Sequence, residues 1–310
     1  MPRIIFMGTP EFAVPVLDAL TRTTHKIAGV YTRPDQPAGR GKQLQSSPIK
    51  RFAETRGLPI FQPPTLRKPE FIAPLRELAP DLIVVAAYGL ILPPDVLAIP
   101  PRGGVNTHAS LLPRHRGAAP ITAAILAGDA ETGVTLMRMD AGLDTGPILA
   151  QRAIPIADDD TTGTLTPKLA DLAAALLIET LPRLLAGNLT PQPQDESRAT
   201  VCKTIRKAEG LIDWTRPADE IARRVRAFNP WPSAFTYWNG APLKILHAQA
   251  APSNARGEPG RVVEWRDEIA VTTGDGVLIL RQVQLAGKRA MKIEEFARGQ
   301  REFIGSQLIA

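Results

Sequence analysis

The sequence predicts an α/β protein in two parts, a Rossmann-like domain built on a parallel sheet and then a small β-barrel domain. Three observations carry this expectation. Short apolar runs alternate with helical patterns through the first half of the chain, the order that builds a parallel sheet with crossover helices. Five short β-prone runs with tight turns between them crowd residues 234–284, as in a small barrel. A proline-rich polar stretch separates the two, and 310 residues suffice for two hydrophobic cores.

The elements follow in order. Arg3 to Met7 reads as a buried strand, Gly8-Thr9-Pro10 as a turn, Phe12 to Thr23 as a helix and Lys26 to Thr32 as the next strand. The loop from Arg33 to Ser47 holds two prolines and two glycines and is longer than most compact connections. Ser47-Pro48 then caps a helix. A helix over Lys68 to Leu78 and strands over Leu82 to Ala86 and Gly104 to His108 continue the alternation. Thr132 to Met139 and Pro147 to Ile156 are β-rich runs joined through a turn at Asp144, and Thr161 to Leu185 is a long helix rich in alanine and leucine. Asn188 to Ser197, with Pro191 and Pro193, has linker composition. The expected division is therefore a first domain over 1–189, a linker over 190–207 and a second domain over 208–310. In the last, a helix over Pro217 to Phe228 precedes strands at 234–238, 243–249, 260–265, 268–273 and 276–284. Spacing alone leaves an OB-like and an SH3-like barrel both open.

Composition excludes several classes. Cys202 is the single cysteine, which rules out an intrachain disulfide and a four-cysteine zinc site and fits a reducing cytoplasm. His residues number four and form no cluster at ligand spacing, so no metal is implied. No apolar run approaches the roughly 20 residues of a spanning helix, and Met1-Pro2-Arg3 leads into a strand without a signal-peptide pattern. A soluble, cytoplasmic, monomeric protein is expected. The net charge is +6, and residues 33–51 concentrate it, with Arg33, Arg40, Lys42, Lys50 and Arg51 against Asp35 alone. Such a loop attracts phosphates. A dinucleotide is not expected at the first turn, because G-x-G-x-x-G is absent and Pro10 and Phe12 obstruct the approach of a pyrophosphate.

The chemistry points to Asn106, His108 and Asp144. Asn106 and His108 are two apart, so on a strand they share one face of the sheet, and they fall at the C-terminal end of a parallel strand, where doubly wound folds place ligands. An amide donor, an imidazole that titrates near neutral pH and a carboxylate make a proton-transfer site. The run Asn106-Thr107-His108-Ala109-Ser110-Leu111-Leu112-Pro113, its continuation Arg114 to Ile121, and Asp144-Thr145-Gly146-Pro147 resemble the site of the formyltransferases that use 10-formyltetrahydrofolate. Phe6 to Ala13, Pro34 to Lys42 and Arg226 to Pro232 are similar to the methionyl-tRNA branch of that family. These motifs span nearly the whole chain.

The resemblance implies transfer of a formyl group from 10-formyltetrahydrofolate to the amino group of methionyl initiator tRNA, by direct attack through a tetrahedral intermediate. In that chemistry Asn106 and a protonated His108 donate to the developing oxyanion, His108 shuttles the proton, and Asp144 orients the imidazole. Neither a covalent nucleophile nor a metal is called for. By the same carry-over, Ser110, Leu111, Leu112 and Pro113 line the folate site, Gly89, Leu90, Ile91 and Leu92 receive the pterin, and the turn from Asp140 to Asp144 closes its pocket. His115 stands where the family often carries an aromatic ring; with His25 and His247 it reads as a surface or core histidine, and stacking on the substrate is its alternative. Arg40 and Lys42 of the basic loop, with Lys203, Arg206 and Lys207 of the linker, are the expected tRNA contacts, extended by Arg223, Arg224 and Arg226. At Val201 and Thr204 the chain departs from the family, which tends to carry Tyr and Lys there. The resemblance also implies an OB-like barrel. Two other readings stay open: a formyltransferase acting on an amino sugar or other small amine, and an RNA-binding module without folate chemistry.

Overall fold

The computed structural model describes residues 1–38, 43–252 and 257–309. The first half runs β1 (Arg3–Gly8), α1 (Ala13–Thr21), β2 (Lys26–Tyr31), β3 (Gln36–Ala38), β4 (Gln43–Gln45), α2 (Pro48–Thr55), β5 (Ile60–Phe61), α3 (Pro69–Glu77), β6 (Leu82–Ala86), α4 (Pro94–Leu97) and β7 (Gly104–His108). Then come β8 (Arg116–Gly117), α5 (Pro120–Ala127), β9 (Glu131–Arg138), β10 (Ile148–Pro155), α6 (Thr162–Ala186), β11 (Val201–Cys202) and α7 (Ala218–Ala227). The chain ends with β12 (Ala234–Trp238), β13 (Ala241–Ala251), β14 (Val262–Trp265), β15 (Glu268–Thr272), β16 (Val277–Leu285), β17 (Met291–Lys292) and α8 (Ile293–Gly299). These elements form two compact units. One comprises Met1–Pro120, Glu131–Pro155 and Thr166–Cys202, the other Ile121–Ala130, Ile156–Leu165 and Lys203–Ala310.

The first unit is organised by a seven-stranded sheet in the order β10-β9-β7-β6-β1-β2-β5. The strands from β7 to β5 run parallel, while β9 is antiparallel to both its neighbours. Parallel strands are buried on both faces. That is why β1 and β6 read as unbroken apolar runs, with Ile4, Ile5, Leu82 and Val84 fully buried, whereas the edge strand β10 alternates exposed and half-buried residues. The chain travels from β1 outward through β2 to β5, then returns to the other side of β1 to lay down β6 and β7. This reversal creates a switch point between β1 and β6, the place where open α/β sheets bind ligands. The two strand exits are tied there by Thr9, whose hydroxyl donates to the Tyr88 carbonyl at 2.8 Å.

Local signals account for most element ends. The Ser47 hydroxyl accepts from the Lys50 amide at 3.0 Å and Pro48 opens α2, a cap that satisfies a free helix donor. In α6 the buried residues Leu169, Ala173, Leu177 and Leu181 recur every fourth position, one face of a helix. The structure adds what the sequence reading omits. The long loop holds the antiparallel pair β3 and β4, and Arg40 and Lys42 between them lie outside the described residues. Helix α5 is eight residues long with an apolar, alanine-rich sequence, too short for a periodic pattern to separate helix from strand.

In the second unit the antiparallel sheet has the order β12-β13-β16-β15-β14, with β17 beside β16. Its two free edges are joined by the C-terminal segment. Ile309 bridges to Tyr237 of β12, and Gln307 bridges to Arg261 beside β14, with the Leu308 amide donating to the Gly260 carbonyl at 2.8 Å and the Tyr237 amide to the Ile309 carbonyl at 2.9 Å. The sheet thus closes into the expected barrel through a segment too short to be read as a strand, which covers part of both edges. Trp238, Phe296 and Phe303 form a trio of edge-on rings, with centroids 4.9–5.5 Å apart, within a core that includes Ile212, Val225 and Leu280. The Trp238 indole N–H finds the Ser306 hydroxyl at 3.0 Å. Trp238→Ala removes this anchor and is expected to cost about 3–5 kcal/mol, read as a fall in the denaturant midpoint; a loss below about 1 kcal/mol would mean that the barrel does not depend on the trio.

Candidate active site

Strand β7 ends in a fully buried stretch that delivers Asn106 and His108 to one side, and the turn after β9 folds back so that Asp144 meets both. The Asn106 Nδ2 lies 3.4 Å from Asp144 Oδ1, and His108 Nδ1 lies 3.6 Å from Asp144 Oδ2. Asn106 is 9% exposed, the His108 side chain 6% and the Asp144 side chain 15%. The three residues expected to carry the chemistry are therefore brought together and largely buried.

The partners fix the protons. His108 Nε2 sits 2.9 Å from the His115 carbonyl oxygen. A carbonyl only accepts, so Nε2 carries the hydrogen. Nδ1 is then the nitrogen with the open lone pair in the neutral ring, and it faces Asp144. The same reasoning orients Asn106, because a carboxylate only accepts and must face the amide NH2. The second N–H of that amide is available to another acceptor. Asp144 Oδ2 also receives the Gly117 amide at 2.9 Å. The arrangement offers a fixed amide donor, a ring nitrogen able to take up a proton and a carboxylate able to hold the resulting imidazolium.

Asp144 itself adopts φ 53°, a left-handed conformation that aspartate tolerates better than most residues. Its turn is internally braced: Asp140 accepts from the Gly142 amide at 3.0 Å and from the Thr145 hydroxyl at 2.8 Å. A side chain at Gly146 would place its Cβ 1.8 Å from the Arg138 carbonyl oxygen, so only glycine lets the turn lie against β9.

Other expected site residues are distributed as follows. Ser110 is fully buried and donates to the Arg114 carbonyl at 2.6 Å, while its own carbonyl accepts from Thr135 at 2.6 Å. Leu112 is buried beside it, preceding the cis bond to Pro113, and Leu111 is half-buried. The hydroxyl of Ser110 is thus committed to the shape of its own loop. Gly89, with φ 82°, is exposed after β6; Leu90 is half-buried, Ile91 69% exposed and Leu92 buried. His115, open between a surface or core histidine and a stacking contact, is 7% exposed with its amide on the Thr200 hydroxyl at 2.8 Å, and its carbonyl holds His108. Cys202 donates its thiol to the Arg116 carbonyl at 3.2 Å, and burial pushes its pKa up, opposite to what a nucleophilic cysteine needs.

The second unit carries the remaining basic candidates. Lys203, Arg206 and Lys207 are exposed, with Arg206 paired to Glu209 at 3.0 Å. Arg223 pairs with Asp219 at 2.7 Å and Arg224 lies over the Phe228 ring. Arg226 turns inward to the Asp160 carbonyl at 3.0 Å, and its burial pulls the guanidinium pKa down. In the basic stretch of the first unit, Lys50 is taken up by Asp35 at 2.6 Å and Arg51 by Glu11 at 3.3 Å. Among the described residues no group of three or more His, Cys, Asp or Glu could hold a metal, and no helix is long and apolar enough to cross a membrane.

Sequence reasoning missed the segment behind the site. The chain from Gln192 to Cys202, expected to be linker, packs on the first unit: Gln192 bridges to Ile148 and β11 pairs with β8. Within the expected linker the boundary between units falls at Cys202 and Lys203. Polar residues flanked by prolines have linker composition, yet here their side chains serve as hydrogen-bond partners for residues about eighty positions away, and such pairing leaves no periodic trace.

Comparison with known proteins bears on both halves. Residues 2–181 match the model for formyl transferase and residues 204–301 the model for formyl transferase, C-terminal domain. A methionyl-tRNA formyltransferase of Methylococcus capsulatus is 52% identical over 95% of this chain and 96% of its own, and one of Roseiflexus castenholzii is 49% identical over 99% and 98%. A crystal structure of an N-formyltransferase from Helicobacter canadensis, in complex with folinic acid and dTDP-3-aminofucose, has a similar fold. Its TM-score is 0.68 at 20% identity, covering 92% of this chain and all of that one. Matched in both halves and along nearly its full length, the chain belongs to the formyl transferase family.

Proposed function

We propose that this protein transfers the formyl group of 10-formyltetrahydrofolate to the amino group of methionyl initiator tRNA. The observation that carries the reading is the 49–52% identity, over nearly the full length of both chains, to relatives named methionyl-tRNA formyltransferase. The sugar-acting relative is 20% identical and shares the fold; its folinic acid supports a folate donor for this chain.

The site supplies a consistent sequence of steps. The amine of the methionyl group attacks the formyl carbon, and the carbonyl oxygen takes up negative charge. The free N–H of Asn106 donates to that oxygen, a contact that strengthens as charge develops. His108 Nδ1 accepts the proton that the amine must lose, and the imidazolium so formed is held between Asp144 and the His115 carbonyl. The same proton is then delivered to N10 of the folate as the bond from N10 to the formyl carbon breaks. Proton and electron pair both balance, and the enzyme ends as it began. The Gly89 to Leu92 loop, at the switch point of the sheet, and the Ser110 to Pro113 loop are the proposed folate contacts together with the Asp140 turn. Lys203, Arg206 and Lys207, exposed at the start of the second unit, and Arg40 and Lys42 are the proposed contacts to tRNA phosphates. The protein acts in the cytoplasm, where charged initiator tRNA is found.

The test is transfer of radiolabelled formyl from 10-formyltetrahydrofolate to charged methionyl initiator tRNA, with uncharged tRNA, free methionine and a nucleotide-linked amino sugar as controls. Label on the charged tRNA alone is the expected result. Label on the amino sugar and none on the tRNA would overturn the acceptor assignment and keep the donor.

A further inference from the structure

A ring of polar contacts lies behind Asp144 and takes no part in the steps above. Gln194 Nε2 donates to two backbone carbonyls, that of Asp144 at 2.8 Å and that of Gly146 at 2.7 Å. Its Oε1 accepts from Arg116 Nε at 3.0 Å and from a terminal nitrogen of the same guanidinium at 2.8 Å. Arg116 is 5% exposed and is gripped from its other side by both oxygens of Glu196, at 2.9 and 2.6 Å. That pairing raises the Arg116 pKa and lowers that of Glu196. The residue after Arg116 is Gly117, whose amide donates to the Asp144 carboxylate. The circuit is therefore closed. From the Asp144 carboxylate it runs through the Gly117 amide and Arg116 to Gln194, and back to the Asp144 backbone.

The main chain of the same segment completes the brace. The Thr200 amide donates to the Pro113 carbonyl, the Arg116 amide to the Thr200 carbonyl and the Ala118 amide to the Cys202 carbonyl, at 2.9–3.2 Å. A side-chain amide has two donors and one acceptor group in a fixed plane. Gln194 uses them to set the distance between the two loops that meet at Asp144, one carrying the carboxylate and the other the amide that aims it. Asp144 needs such support because its left-handed backbone stores strain that the surroundings must over-determine.

We propose that Gln194, locked by Arg116 and Glu196, is a positioning residue of the reaction: it holds the Asp144 carboxylate in register with His108 Nδ1 and the Gly117 amide. The proposal rests on the formyl-transfer reading for its kinetic consequence, and on geometry alone for its structural one. A misplacement of about 1 Å at a reacting group costs on the order of 10²-fold in rate, while the proposed tRNA contacts and the Gly89 to Leu92 part of the proposed folate site lie elsewhere. Gln194→Met keeps length and shape and removes every one of these hydrogen bonds. It is expected to lower kcat by about 10- to 100-fold, with KM for tRNA within about twofold, and to speed hydrogen exchange of the Gly117 amide about tenfold without affecting β1 or β6. A role limited to holding the fold together would lower the melting temperature and leave kcat per folded molecule unchanged.

Glu196→Gln provides a second variant that does not depend on filling an interior space, since the Glu196 side chain is 69% exposed. It loosens Arg116 and is expected to reduce kcat by about threefold to tenfold with KM for tRNA unchanged. Wild-type kcat in either folded variant, or a rise in KM with kcat unchanged, would overturn the proposal. A wild-type protein that transfers no formyl at all would instead overturn the functional reading, and the Gly117 exchange comparison would still decide the geometry.

Discussion

His108→Ala is expected to reduce formyl transfer by about 10³-fold in kcat, with the fold intact. The imidazole is the group in the site whose ring nitrogen can both accept a proton and hand it on. Its Nε2 is committed to the His115 carbonyl, so the whole of this duty falls on Nδ1. Alanine leaves the amine to shed its proton to water and leaves N10 to depart without one. The structural cost is the loss of one buried hydrogen bond, about 1–2 kcal/mol, which a unit of this size tolerates. Asp144→Asn provides the companion measurement. The asparagine oxygen can still receive the Gly117 amide, so the turn keeps its shape, but the charge that faces His108 is gone. A loss of about 10²- to 10³-fold in kcat is expected, with a melting temperature near that of the wild type. Single-turnover rates on charged initiator tRNA, with circular dichroism to verify folding, decide both. A His108→Ala protein within about threefold of wild type would remove the imidazole from the mechanism and with it the proton path described above.

The parts of this arrangement that the sequence announces are those with a local signature. Asn106 and His108 are legible because they sit two apart at the end of an apolar run, and a strand places alternate residues on one face. β1 and β6 are legible because burial on both faces demands unbroken apolar sequence, and α2 because Ser47-Pro48 is a helix start in chemical terms. What is not legible is built from distant partners. Gln194 reaches a carbonyl fifty positions away, and nothing in the composition of Pro191 to Glu196 distinguishes a solvated linker from a strap whose amides and carboxylates are all used. The closure of the barrel by residues 306–309 is hidden for the same reason, because four residues carry no periodicity. Ser110 shows the reverse case. It stands inside a recognisable motif, yet its hydroxyl is turned to the Arg114 carbonyl, so a motif residue can serve to shape its own loop.

Gly117→Ala is expected to lower kcat by about 10²-fold, and the reason lies entirely in backbone geometry. Gly117 has φ 111°, a region that residues with a side chain rarely adopt. A Cβ there would lie 2.2 Å from the Cys202 carbonyl oxygen, a main-chain atom held in place by the pairing of β8 with β11. The alanine variant must therefore rotate the peptide, which withdraws the amide from Asp144 Oδ2, or push β11 away, which breaks the bond from Ala118 to Cys202. Either movement uncouples the carboxylate from its loop. The strain costs about 1–3 kcal/mol. Gly187 is the matched control. It has φ 75° at the end of α6, but a Cβ there would approach only an Arg102 side-chain nitrogen, at 3.9 Å. Gly187→Ala carries a similar conformational penalty in open space, so it is expected to lose about 1 kcal/mol of stability and to keep wild-type kcat. Denaturation midpoints and kcat measured on the two variants side by side separate strain from positioning. Equal activities would show that the Gly117 amide is dispensable to Asp144. A large activity loss confined to Gly117→Ala would assign that loss to the Gly117 backbone donor that aims the carboxylate at His108.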